Sequence, residues 1–115
     1  MRFLFLEDDK DFVELVVKRL IKAGFNFQYV CVETKEGFIR EMSTCNILFV
    51  DCDLPSFSCE EALILWHNDG EKQPFIIISG TITSVKGKIL ESIGATAVIL
   101  KNRLYCLEDM ITKIL

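Results

Sequence analysis

The sequence predicts an α/β fold: a doubly wound, five-stranded parallel sheet covered by five helices. Three observations carry this. Short apolar runs alternate strictly with segments of helical periodicity from one end of the chain to the other. The runs FLFL, ILFV and FIII are apolar at consecutive positions, as in strands covered on both faces. The segments between them are short and punctuated by glycine or by helix-capping residues, which leaves no room for a second domain.

Residues 2–6 (RFLFL) form the first predicted strand. From 9 to 23 the apolar residues Phe12, Val13, Leu15, Val16, Leu20 and Ile21 recur at helical spacing, and Gly24 supplies the left-handed stop. Residues 27–32 read as the second strand, followed by a short helix over 33–43 that buries Phe38, Ile39 and Met42. The third strand is the apolar run 47–50, which ends at Asp51 before Pro55 breaks any continuation. Ser58 and Glu61 make a capping box that opens a helix through about His67, closed by Gly70. Residues 74–79 (PFIIIS) are the fourth strand, 83–92 a helix stopped at Gly94, and 95–100 (ATAVIL) the fifth strand. A closing helix over 104–115 turns Leu107, Met110, Ile111 and Ile114 inward. Right-handed crossovers then favour the strand order 2-1-3-4-5, the flavodoxin-like arrangement.

Composition bounds the function. The 115 residues are half hydrophobic, with a mean hydropathy of +0.32, so one globular domain over residues 1–115 is expected. No apolar run approaches a membrane span, and the N-terminal one meets acid too soon for a signal peptide, so a cytoplasmic location is expected. A net charge of −4 and a pI near 5.0 argue against direct nucleic-acid binding. The five cysteines include no C-x-x-C pair. Cys45, Cys52 and Cys59 are evenly spaced, but nothing in the pattern gathers them round one centre, and reduced, separately packed thiols are expected. Cys52 is the one reservation, since it lies beside Asp51 and is open there to oxidation or alkylation.

In a parallel sheet every strand delivers its carboxyl end to the same edge, where such folds place their chemistry. The first strand delivers Glu7, Asp8 and Asp9, the third Asp51 and Asp53, the fourth Ser79, Gly80 and Thr81, and the fifth Lys101. Each has an ordinary explanation alone: Asp51 could merely end a strand, and acids suit a helix start. Together they make carboxylates, a hydroxyl and an ammonium that suit phosphoryl transfer. Crowded carboxylates repel, which raises a pKa or recruits a cation, and a few carboxylates with water suit Mg²⁺ (or Mn²⁺). An ionised Asp51 could attack phosphorus to give an aspartyl phosphate, with Ser79, Lys101 and backbone N–H groups neutralising the transferred group.

Over its whole length the chain resembles the receiver domain of two-component response regulators. The matching segments are FLED, FVDCDLP, IIISGT and IGATAVILK, and the intervals between Asp8, Asp51, Ser79 and Lys101 fit too. The resemblance implies that Glu7 and Asp8 are the metal-binding acidic pair, Asp51 the phospho-acceptor, Ser79 the switch hydroxyl and Lys101 the lysine of the site. Asp53 would give its backbone carbonyl to the metal, with its side chain and Thr81 flanking the phosphoryl group, and Asp9 would cap a helix. It also implies a sensor histidine kinase or histidine phosphotransfer protein as donor and a downstream protein as target. Neither a membrane nor enzyme activity beyond the domain's own phosphorylation and dephosphorylation is implied. SGTI and LKNRL look like a subgroup of receivers found beside sensory domains or kinases. Three positions depart from the family: Cys59 replaces a glycine, Val98 an aromatic on the fifth strand, and Asn102 a proline. Because Val98 is short and β-branched, the readout is expected in the 80–83 loop and the fourth helix, including Ile82 and Val85.

Two other readings compete. One is a degenerate receiver that docks a partner without phosphorylation; the other is a small Mg²⁺-dependent phosphohydrolase using Asp53 as acid and base. A flavin site lacks the phosphate-cradling loop after the first strand. His67 reads as a solvated residue near a helix end, Trp66 as semi-buried packing, and Lys86 and Lys88 as a solvated face.

Overall fold

A computed structural model describes residues 1–115. The chain runs β1 (Arg2–Leu6), α1 (Lys10–Lys22), β2 (Gln28–Val32), α2 (Lys35–Met42), β3 (Ile47–Asp51), α3 (Cys59–Asn68), β4 (Phe75–Ser79), α4 (Ser84–Ser92), β5 (Ala97–Leu100) and α5 (Leu107–Ile114), with a 3₁₀ segment, Lys101–Cys106, leading into α5. The five strands pair in parallel in the order β2-β1-β3-β4-β5, as expected.

Alternation along each strand divides the core into two layers. Phe3 and Phe5 of β1, Ile47 and Phe49 of β3, and Ile76 and Ile78 of β4 face α1 and α5, meeting Val13, Val16, Leu20, Leu107 and Ile111. Leu4, Leu6, Leu48, Val50, Phe75 and Ile77 face the other way, against Phe38, Leu63, Trp66 and Leu90. The central strands β3 and β4 are buried at every position, which is why their sequences do not alternate.

Helix starts follow the capping residues. Asp9, Thr34, Ser58 and Thr83 each accept a hydrogen bond from the backbone N–H three residues on, at 3.1 Å in every case. Gly24 (φ +95) and Gly94 (φ +125) take the left-handed conformation that stops α1 and α4.

Several expectations need correction. Leu15 and Ile21 are 57% and 60% exposed, because α1 buries the stripe Val13, Val16, Val17 and Leu20. An i, i+3, i+4, i+7 face excludes them. Ile39 is likewise exposed, while its neighbours Phe38 and Met42 are buried. Trp66 is buried rather than half-buried, with its indole N–H donating to the Gln73 carbonyl at 2.8 Å. Met110 and Ile114 are only partly buried. The final helix starts late: Arg103 has non-helical backbone (φ −122, ψ 38), so a 3₁₀ turn precedes α5. Lys86 pairs with Glu60 at 3.3 Å, and His67 with Glu71 at 3.0 Å, both on the surface.

The thiols are not all reduced. Cys52 and Cys59 are joined by a disulfide, while Cys31, Cys45 and Cys106 are free. The loop carrying Pro55 doubles back so that the first residue of α3 returns beside the end of β3, with a Cα–Cα separation of 4.8 Å. That separation suits a disulfide.

Candidate functional site

Strand register builds the site. Leu6 pairs with Val50, Asp51 with Ile78 and Ser79 with Leu100, so the next residues, Glu7, Cys52, Gly80 and Lys101, line up along one edge of the sheet. Glu7 stays fixed there because its N–H still donates to the Val32 carbonyl at 3.0 Å. Carboxylate oxygens of Glu7, Asp8 and Asp51 lie within 4.8 Å of one another. Glu7 and Asp51 are buried and Asp8 is exposed, so the cluster has one open side.

Lys101 reaches over the same cluster. Its Nζ is 3.0 Å from Glu7 Oε2, 3.8 Å from Asp51 Oδ2 and 4.6 Å from the centre of the Phe12 ring. Burial works against its charge, but Glu7, Asp51 and Asp9 hold the ammonium above its ordinary range. Burial pushes Glu7 up to about 7; Asp51 adds to this, against the pull of Lys101 and of the Asp9 N–H. The site therefore carries more negative charge than one lysine neutralises. Three oxygen ligands with an open side and surplus negative charge fit a hard divalent cation, and Glu7, Asp8 and Asp51 are the side chains that would hold it.

Asp53 sits differently. Its backbone N–H donates to Asp51 Oδ1 at 2.9 Å, while its carboxylate turns away from the other three. It accepts from Ser79 Oγ at 2.9 Å, from the Gly80 N–H at 3.0 Å and from Thr81 Oγ1 at 2.8 Å. Desolvation opposes the charge, but Thr81, Gly80, Ser79 and the field of Lys101 outweigh it and hold this carboxyl below its usual range. Ser79, fully buried, also accepts from the N–H groups of Thr81 and Ile82, each at 3.2 Å. All the expected site residues thus reach one edge, yet Asp53 and Ser79 form a second cluster gripping the β4–α4 loop.

Three participants escaped the sequence reading. Phe12 lies under Lys101, although its spacing marked it only as a helix-core residue. The grip of Asp53 on residues 79–81 has no local signal, since the partners are far apart in sequence. The Cys52–Cys59 pair did leave a signal, the even spacing, but periodicity cannot say which thiols meet in space.

The raised pKa of Glu7 has a measurable consequence. A carboxyl that titrates near 7 when folded and near 4.5 when unfolded gives the folded state the extra proton between those values. Its stabilising contribution is full below the lower value and is lost as pH rises through the upper one. Without divalent cation, the melting temperature is expected to fall by on the order of 5 °C between pH about 5 and about 8. Glu7→Gln should flatten that slope in thermal melts. An unchanged slope in the variant would show that Glu7 is not the group responsible.

No protein-family profile matches the chain, and no curated protein matches it. Solved structures do. A response regulator from Hahella chejuensis superposes with a TM-score of 0.78 at 20% identity, covering 98% of this chain and 88% of that one. The receiver domain of the histidine kinase CKI1 from Arabidopsis thaliana, complexed with Mg²⁺ and BeF₃⁻, gives 0.74 at 20% identity over 98% and 88% of the two chains. The BeF₃⁻-activated N-terminal receiver domain of Klebsiella pneumoniae RstA gives 0.75 at 20% identity over 99% and 97%. The chain has the fold of response-regulator receiver domains.

Proposed function

We propose that this chain is a phospho-acceptor domain of two-component signalling, spanning residues 1–115, in which Asp51 takes a phosphoryl group from a histidine kinase or histidine phosphotransfer protein. The observation that carries the reading is the position of Asp51: a buried carboxylate at the centre of the edge, flanked by Glu7 and Asp8 on one side and by Lys101 above. Magnesium, or manganese, held by Glu7, Asp8 and Asp51 with the Asp53 backbone carbonyl, would neutralise carboxylates and phosphoryl oxygens when bound. Mg²⁺ with BeF₃⁻ in the Arabidopsis receiver supports that ligand class by analogy.

The protein's own residues do the remaining work. The Asp53 N–H orients the Asp51 carboxylate, leaving its other oxygen, nearest Lys101, for the incoming group. Lys101, fixed by Glu7 and Phe12, meets the charge that gathers on the transferred oxygens. A phosphoryl group on Asp51 then competes with the Asp53 carboxylate for the hydroxyls of Ser79 and Thr81 and repels it. Loss of those bonds frees the loop from Gly80 to Thr83 and shifts the start of α4. Gly87 of α4 is buried beside Val98, where even a Cβ would make only an ordinary contact, 3.7 Å from Val98 Cγ1, so α4 and β5 pack directly on one another. Movement of the loop therefore passes to the α4 face that carries Val85 and Ile89, through which a downstream protein would read it.

The phosphohydrolase reading is weaker on the same geometry. Asp53, which would have to donate a proton, is stabilised as a carboxylate by its three donors. Incubation with acetyl phosphate and Mg²⁺ tests the proposal. A single phosphoryl mass is expected in the intact protein, absent with EDTA and absent in Asp51→Asn. Equal labelling of that variant would overturn it.

A further inference from the structure

We propose that Cys52 and Cys59 form a thiol–disulfide exchange site for low-molecular-weight thiols and disulfides of the glutathione class, and that its redox state sets how freely the loop beside Asp51 moves. The bond spans seven positions and closes the loop that carries Asp53, immediately after the acceptor residue. Asp53 is the joint of the site: its N–H holds Asp51, and its carboxylate holds Ser79, Gly80 and Thr81. A covalent tie from Cys52 to the first residue of α3 therefore restrains the segment through which the acceptor and the β4–α4 loop communicate.

The two sulfurs differ in access. Cys59 is 0% exposed, whereas Cys52 is only partly buried. Exchange begins at Cys52 for that reason. A thiol RSH attacks the Cys52 sulfur, the S–S bond breaks, and Cys59 leaves and takes the proton. A second RSH attacks the mixed disulfide, releasing the Cys52 thiol and RSSR. The protein gains two electrons and two protons, and two RSH become one RSSR. Oxidation is the reverse, with RSSR as oxidant. Leu54 and Phe57, both buried, keep the loop docked without the bond, so reduction loosens it and does not unfold the domain.

Two readouts test this on the full chain. After equilibration with oxidised glutathione and denaturation, iodoacetamide should leave Cys52 and Cys59 unlabelled, and the exposed Cys106 should carry glutathione; after reduced glutathione it should label all five. Amide exchange at residues 53–58 and 80–82 should be roughly tenfold faster in the reduced protein. The Cys52→Ser/Cys59→Ser double variant should behave as the reduced form whatever the glutathione state; reversible reduction of the native chain gives the same comparison should that variant fail to fold. Labelling of five thiols under oxidised glutathione, or exchange unchanged between the two forms, overturns the inference. A further effect on phosphorylation rests on the proposed function: the reduced form should take phosphate from acetyl phosphate faster, since its Asp53 releases Ser79 more readily. No phosphate in either form would count against the phospho-acceptor reading, while the exchange comparison would still decide the redox site.

Discussion

Lys101→Ala is expected to lower the rate of phosphoryl uptake by roughly a hundredfold, the scale seen when one donor to a developing anion is removed. The ammonium is the only cation placed against both Glu7 (3.0 Å) and Asp51 (3.8 Å), and its side chain is anchored over Phe12. Removing it also leaves two buried carboxylates facing one another. Glu7 then holds its proton more tightly, so the variant should lose about 1–3 kcal/mol of stability, and more of it at alkaline than at acid pH. Rates of phosphoryl mass gain and urea melts on either side of neutrality measure both effects. Lys101→Arg keeps the charge and should restore most of the stability. An alanine variant with native uptake would remove Lys101 from the proposed machinery.

The second large effect lies below the site. Phe49→Ala is expected to destabilise the domain by about 3–5 kcal/mol. Phe49 is 1% exposed, stacks on Phe5 with ring centres 4.9 Å apart, and meets the edge of Phe3 at 5.5 Å. It belongs to the strand that presents Asp51, so the loss falls directly under the edge. A domain of this size has about 5–15 kcal/mol in total, so such a variant would stand near its folding threshold. Leu15→Ala should change stability by no more than about 0.5 kcal/mol, since that leucine points outward. Urea denaturation of the two variants side by side checks both values. Similar losses in both would mean that the α1 stripe is misplaced.

The contrast between Phe49 and Leu15 also marks how far the sequence could be read. Strands β3 and β4 announce themselves because every position is apolar, and a strand buried on both faces leaves no alternation to misjudge. In α1 apolar residues occupy more of the helix than one face can bury, so periodicity could not choose between Leu15 and Val17; packing against Phe3 and Phe5 does. The 3₁₀ segment Lys101–Cys106 carries no glycine or proline to signal it, so the pattern alone does not separate its end from α5. The placement of Glu7, Asp8, Asp51, Ser79 and Lys101 at one edge is legible, since parallel strands deliver their ends to a common side. The Asp53 grip and the disulfide are not. Both depend on how one loop folds back, and that is fixed by the burial of Leu54 and Phe57 more than by any local motif.

Locating the phosphoryl group by residue is the most direct test of the proposed chemistry. After treatment with acetyl phosphate and Mg²⁺, borohydride converts an aspartyl phosphate to homoserine, which peptide mass spectrometry assigns to one position. Conversion at Asp51 alone is the expected result. Conversion at Glu7, Asp8 or Asp53, a phosphoryl group on Ser79 or His67, or no modified residue at all would contradict it.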